Sequence, residues 1–158
     1  MKMNKKKLKQ QQHIISKKLL PWLTLRGEKR PPCGWIQAIR LSLGMSGNQL
    51  AKRLGIGQAA LSRMESREPE GKVTMESMEK IAKAMNCQFL YAIVPQKEFD
   101  DLHEIVLEKS LELAEKMIRE VSHNMALEGQ DISEKEKEKR IRELAHELST
   151  KLDSKIWN

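Results

Sequence analysis

The chain has 158 residues, of which 32% are charged, and its formal net charge is +7. This length suffices for one compact domain with an extension or for two small domains. Its two cysteines lack metal-ligand spacing, and its apolar runs are too short to span a bilayer. These features argue against a disulfide framework, a zinc site and a membrane protein, so we expect a cytoplasmic protein with no cofactor and no metal.

The positive charge is concentrated at the start of the chain. The first 30 residues carry +9, whereas the remaining residues together carry −2, which favours contact with a polyanion such as nucleic acid. We assign residues 1–32 as a basic N-terminal arm with a linker, containing a short helix that ends before Pro21. The arm either lies along DNA phosphates or packs onto the body through its apolar face; the sequence does not separate these alternatives.

Residues 33–95 are predicted to form the next domain, which begins with a helix over Trp35–Leu43. After it, Ser46 is a good helix N-cap with Gln49 three residues later, a pattern typical of a capping box. Gly55 allows the left-handed conformation that ends a helix. The sequence therefore predicts two short helices joined by a tight turn.

This arrangement over Ser46–Glu65 is typical of a helix-turn-helix, whose second helix enters the major groove of DNA. Leu61 and Met64 have the spacing of inward-facing residues of that helix. We expect four side chains to remain on its outer face: Gln58, Ala59, Ser62 and Arg63.

A helix capped by Thr74 and ended by Asn86 follows, and Cys87–Val94 then predicts a β-strand. A lone strand cannot satisfy its backbone groups, so this strand must pair with another. One partner is the same strand of a second subunit about a two-fold axis, which gives a homodimer. The other is the stretch Trp22–Leu25 of the same chain.

Residues 96–158 predict a C-terminal helical extension. A long helix from Gln96 to about Gly129 is followed by a second helix, for which Ser133 and Glu136 form another capping box. We expect the two to form an antiparallel hairpin. The first helix has apolar residues at heptad spacing, which we call the heptad seam: Leu107, Leu111, Ala114, Ile118, Val121 and Met125.

The chain contains no nucleophile motif, phosphate-binding loop or histidine cluster with metal-ligand spacing. Its carboxylates are scattered through charge-rich helices, where ion pairing and solvation are their usual roles. We therefore expect no catalytic residues and no enzymatic activity.

The stretch GMSGNQLAKRLGIGQAALSRMES (residues 44–66) resembles the lambda-repressor/Cro-like (XRE-type) helix-turn-helix family. The longer pattern, which continues through MEKIAKAMNCQFLYAIVP, is most similar to the mobile mystery protein A family. Members of that family typically accompany a second protein that has a Fic domain. The resemblance thus implies a DNA-binding domain and the possibility of a Fic-domain partner.

By resemblance, Gln58, Ala59 and Arg63 fall where the repressor family reads bases. A glutamine can pair bidentately with adenine, an arginine with guanine, and an alanine methyl group can contact thymine. Ser62 lies on the same side and is suited to a phosphate.

The family usually has a glutamine that grips a phosphate immediately after the capping serine, but this chain has Gly47 there. Gly47 still offers its backbone N–H, and Asn48 or Lys52 can replace the missing contact. The resemblance also makes Arg40 and Glu65 a structural pair. A further departure, glycine in place of the common Ser or Thr before the second helix, leads us to expect a weaker base-reading surface and more affinity from phosphates.

These patterns predict a mainly α protein: a lambda-repressor-like helix-turn-helix domain with one β-strand, followed by a C-terminal helical hairpin. The expected function is that of a sequence-specific transcriptional regulator that binds double-stranded DNA as a homodimer and regulates its own expression. The alternative is an antitoxin-like interaction protein that binds a Fic-domain partner through its C-terminal helices.

Overall fold

A computed structural model of the protein describes residues 5–127 and 133–158, without the side chains of residues 125–127. The described residues form α-helices and one short 3-10 helix, which confirms the mainly helical fold class. Two units are present: a central unit, Gly27–Ala92, and a terminal unit that combines the chain up to Arg26 with the chain from Ile93 onward. The helices are α1 (Lys5–Leu23), α2 (Gly34–Ser42), α3 (Gly47–Leu54), α4 (Gln58–Arg67), α5 (Met75–Ala84), α6 (Leu102–Leu127) and α7 (Glu134–Lys151), and the 3-10 helix is Ser154–Trp157.

Local capping chemistry sets the bounds of α3 in the central unit. The Ser46 hydroxyl accepts a hydrogen bond from the Gln49 N–H at 3.2 Å, and the Gln49 side-chain oxygen accepts one from the Ser46 N–H at 2.7 Å. Gly55 ends the helix with a φ of 67°. The predicted capping box and left-handed turn are therefore confirmed.

Helix α5 also follows its predicted caps. The Thr74 hydroxyl accepts a hydrogen bond from the Ser77 N–H at 3.2 Å, and Asn86 after the helix has a φ of 56°. Asparagine adopts this left-handed conformation more readily than most residues.

One apolar core holds the four helices of the central unit together. Burial of a Leu, Ile or Met side chain contributes about 1.5–3 kcal/mol to folding. The fully buried members come from all four helices: Ile36 from α2, Leu50 and Ala51 from α3, Leu61 from α4, and Ile81 and, just past α5, Met85.

Helix α2 receives its N-terminal cap from a distant residue. Cys33, at the N-cap position, makes no side-chain cap hydrogen bond. Instead, the buried carboxylate of Glu68 accepts a hydrogen bond from the Ile36 N–H at 3.2 Å, where the helix macrodipole favours negative charge. A Cβ on Gly34 would lie 2.0 Å from Glu68 Oε2, and the φ of Gly34 is +80°. The carboxylate can therefore occupy this place only because residue 34 has no side chain.

The predicted β-strand over Cys87–Val94 is wrong: within the described chain this segment is neither a strand nor a helix. The Cys87 N–H donates to the Ala82 carbonyl at 2.8 Å, but residues 88–94 make no backbone hydrogen bond to any described residue. Pairing with Trp22–Leu25 is also wrong, because Trp22 lies in α1 and the Leu25 N–H closes a turn onto the Trp22 carbonyl at 3.0 Å. The segment therefore has no backbone partner among the described residues.

In the terminal unit, α6 and α7 form the predicted antiparallel hairpin. Early residues of α6 share a core with late residues of α7 and with the 3-10 helix: Val106, Ala114, Ala145, Leu148 and Ile156. Helix α6 begins at Leu102 rather than Gln96, because the Asp101 carboxylate accepts hydrogen bonds from the N–H groups of His103 and Glu104 at 2.7 and 3.0 Å. The predicted end of this helix, Gly129, lies outside the described residues.

The second predicted capping box forms only in part. The Ser133 hydroxyl accepts a hydrogen bond from the Glu136 N–H at 3.3 Å, so Ser133 does cap α7. The Glu136 carboxylate instead accepts a hydrogen bond from Arg140 Nε at 3.1 Å, one turn further along the helix. An ion pair at this spacing competes with the return bond to the cap.

The prediction that the first helix ends before Pro21 is wrong, because α1 continues to Leu23. Proline in a helix interior removes one backbone hydrogen bond and crowds the preceding turn. Here Pro21 lies in the last turn, and the half-buried side chains of Leu19, Trp22 and Leu23 hold that turn in place. Of the helices in the described residues, none is both long and apolar enough to cross a membrane.

We predict that Gly34→Ala destabilises the central unit far more than Gly71→Ala. Both glycines have positive φ, but a Cβ at residue 71 has nothing within 4 Å. Gly71→Ala should therefore cost only the backbone strain of about 1–2 kcal/mol. Gly34→Ala should cost about 2–4 kcal/mol, since it also displaces the Glu68 cap. Urea unfolding followed by Trp35 fluorescence, with Trp22 and Trp157 replaced by Phe, measures both; equal losses would contradict the capping role.

Candidate nucleic-acid interface

A buried ion pair fixes α4 against α2. Arg40 Nε donates to Glu65 Oε1 at 2.6 Å and Arg40 Nη2 donates to Glu65 Oε2 at 3.0 Å, with side-chain exposures of 10% and 11%. Arg40 Nη1 also donates to the Met45 carbonyl at 3.0 Å, in the link before α3. These bonds to Glu65 raise the pKa of the Arg40 guanidinium, so the guanidinium stays charged. The two residues that the sequence paired are thus joined bidentately.

The outer face of α4 contains the four side chains expected there: Gln58, Ala59, Ser62 and Arg63 are all exposed. Leu61, between them, is 1% exposed and anchors the helix in the core. Neither the Gln58 amide nor the Arg63 guanidinium makes a side-chain hydrogen bond or ion pair to a described residue. The face therefore presents the guanidinium donors of Arg63 and the amide of Gln58 on one helix, and these are the groups that can read base edges.

The start of α3 offers backbone donors beside this face. The Ser46 N–H is used in the capping box, whereas the N–H groups of Gly47 and Asn48 have no acceptor among the described residues, as is normal for a helix start. A Cβ on Gly47 would lie 3.7 Å from Gln58 Nε2, an ordinary contact. Gly47 is therefore not required by close packing. Asn48 and Lys52 are exposed on the same helix.

A basic groove next to Arg63 was not predicted from the sequence. It has a volume of about 260 Å³. Arg67 lies one helical turn after Arg63, and the groove continues to the start of α5, where Thr74 and Ser77 line it. Lys72 also lines the groove and pairs with Glu70 at 2.7 Å in a solvent-exposed contact. The i, i+4 spacing of Arg63 and Arg67 was a usable signal, because such residues share one face of a helix.

Among the described residues, no three His, Cys, Asp or Glu side chains lie together as a group able to hold a metal ion. The distinctive chemistry of the central unit is instead the exposed α4 face with the basic groove beside it.

Residues 36–91 match the family model for the helix-turn-helix, and this segment includes α3, α4 and the turn between them. The match supports the XRE-type resemblance for this part of the chain, and with it a DNA-binding regulator of that type. It covers less than half of the chain. Comparisons with curated proteins and with solved structures give no significant match.

Proposed function

We propose that this protein is a sequence-specific, dimeric transcriptional regulator that binds double-stranded DNA upstream of its own gene. The observation that carries the proposal is the exposed face of α4, whose Gln58 and Arg63 side chains have no partner within the described chain. Arg63 would take a guanine through two hydrogen bonds, Gln58 an adenine, and Ala59 a thymine methyl group.

Phosphate contacts would surround this face. The α3 N-terminus at Gly47 and Asn48 supplies backbone donors, with Lys52 and Ser62 as side-chain donors. Arg67 and the basic groove extend the positive surface toward α5. A polyanion laid across α3, α4 and the start of α5 would therefore meet donors along its length. We propose no catalytic role for any residue.

We predict that Arg63→Ala weakens binding to the DNA immediately upstream of the gene by about 1–3 kcal/mol and relaxes base choice at one position. Arg63→Lys is the matched control: it keeps the charge but loses the bidentate fork. We expect the lysine variant to retain the salt dependence of the wild type and to lose its base preference. Fluorescence anisotropy with upstream and scrambled duplexes measures both; an unchanged preference in Arg63→Ala would refute the base-reading assignment.

The dimer would form through segment 88–93. Its backbone N–H and C=O groups have no backbone partner in the described chain, and three of its apolar side chains are exposed: Leu90 and Tyr91 at 60%, and Ile93 at 90%. The rings of Phe89 and Tyr91 stack with centroids 6.0 Å apart, consistent with side chains on one face of an extended chain. An unpaired apolar edge of this kind favours pairing with another strand.

A second copy of the same segment satisfies this edge by antiparallel pairing about a two-fold axis. An apolar groove of about 620 Å³ adjoins the segment in the central unit, lined in part by Trp35, Ile39, Val73 and Met78. Side chains of the second copy would fill it. A two-fold dimer in turn requires a palindromic operator with half-sites about 34–36 Å apart.

We predict that Tyr91→Asp weakens self-association about tenfold or more, because it removes apolar burial at the two-fold axis and places two charges near each other. Met75→Asp is the matched control, since Met75 is also exposed (56%) but lies on α5. Sedimentation velocity over a concentration series measures the change. A wild type that stays monomeric with and without operator DNA would contradict the proposed dimer.

A second candidate function is that of an antitoxin-like protein that binds a Fic-domain partner. It rests on the resemblance to mobile mystery protein A and on one observation in α6: Leu107, Met117 and Val121 are 36%, 43% and 48% exposed and share one side of the helix. Within the heptad seam, Ala114 is buried and Leu111 is half-buried, whereas Leu107 and Val121 are exposed.

For this function we predict that the full chain co-purifies with the product of the neighbouring gene. Val121→Asp should abolish the complex, whereas Met75→Asp, in the central unit, should not. A monodisperse homodimer without affinity for that product would contradict this function and leave the DNA-binding proposal intact.

A further inference from the structure

Helix α1 carries a surface of one charge sign. Between Lys5 and Leu23 it contains six lysines and no aspartate or glutamate, and all six lysines are exposed. This helix belongs to the terminal unit, not to the unit that contains the helix-turn-helix. Its charge is therefore not part of the site described above.

One face of α1 is already occupied. Leu8, Gln12, Ser16, Leu19 and Leu23 recur at three- and four-residue spacing and are half-buried. The Gln12 side-chain amide donates to the Leu102 carbonyl at 3.3 Å, at the start of α6. The apolar stripe of α1 thus packs within its own unit.

Arg26 fixes the end of this helix. Its Nη1 donates to the carbonyls of Gln96 and Phe99 at 2.8 and 2.6 Å, and the side chain is only 17% exposed. Arg26 is one of the positively charged residues of the basic N-terminal region. Because its guanidinium binds these carbonyls, its charge has a structural role. The lysines of α1 are therefore displayed on a helix whose orientation in the terminal unit is set.

At 100° per residue, Lys7, Lys17 and Lys18 lie on the side of α1 opposite the packed stripe, with Lys6 beside them. Lys7 and Lys18 are about 16 Å apart along the axis, at 1.5 Å per residue. Duplex DNA carries one phosphate charge per ~1.7 Å of its axis, so several phosphates fall within this length.

We infer that this outer face of α1, carried by Lys7, Lys17 and Lys18, is a second DNA-phosphate contact surface, separate from the helix-turn-helix. That the polyanion is DNA rests on the proposed DNA-binding function. A membrane surface fits less well: an interfacial helix needs a continuous apolar face, and that face of α1 is used for packing. Ile14 is the one large apolar side chain in the middle of the lysine face.

The test is a salt titration of binding to upstream and scrambled duplexes. Replacing Lys7, Lys17 and Lys18 with Gln should reduce the slope of log K against log salt by about 2–3, at ~0.9 per lost contact. Affinity for both duplexes should fall by the same factor, because phosphates carry no sequence information. The matched control replaces Lys116, Lys139 and Lys155, three exposed lysines of the terminal unit, with Gln, and should change the slope by less than about 1.

A slope change equal to that of the control would overturn the inference. So would loss of binding to phosphatidylserine vesicles in the Lys7/Lys17/Lys18 variant without a change in the DNA slope, since that result assigns the face to a membrane. Failure of the proposed function has a different signature: a wild type that does not distinguish upstream from scrambled DNA. In that case a reduced slope on scrambled DNA still supports the α1 surface.

Discussion

The placement of α4 depends on the bidentate ion pair between Arg40 and Glu65. One guanidinium joins α2, the link at Met45 and α4, so these three elements share a single electrostatic anchor. Both side chains are almost completely removed from water, so the loss of either partner would leave the other as an uncompensated buried charge. Because Leu61 is anchored in the core on the same helix, α4 can expose Gln58 and Arg63 without losing its position.

The sequence predicts those parts of the fold that depend on neighbouring residues. Ser46, Thr74 and Asn86 act within three or four residues of the chain, so their capping roles could be inferred without tertiary information. The Glu68 cap on α2 could not be inferred in this way. Glu68 accepts a hydrogen bond from the Ile36 N–H, 32 residues away in the sequence, and its carboxylate has room there only because Gly34 has no side chain. Nothing local to Cys33 indicates where that cap comes from.

The strand prediction failed for a related reason. The composition of Cys87–Val94 favours an extended chain, but a strand exists only when a second strand pairs with it. The described part of the chain supplies no such partner, because Trp22–Leu25 ends a helix and closes a turn. The exposure of Gln58, Ala59 and Arg63 could be inferred from the sequence, because the helical spacing of Leu61 and Met64 defines the buried face of α4. The shared face of Arg63 and Arg67 could have been inferred from their spacing. The groove beside them could not, because Thr74 and Ser77 reach it from the start of α5.

The central and terminal units suggest a division between specificity and affinity. The outer face of α4 is small: it exposes one arginine, one glutamine and one alanine, and Gly47 lacks the side chain that the resembled family uses on a phosphate. Such a surface can discriminate among bases, but it provides few electrostatic contacts. The lysines of α1 supply charge without base chemistry, on a separate unit. Salt should therefore weaken the contribution of α1 strongly while leaving the ratio between operator and scrambled DNA nearly unchanged, because base contacts depend on hydrogen-bond geometry more than on released counterions.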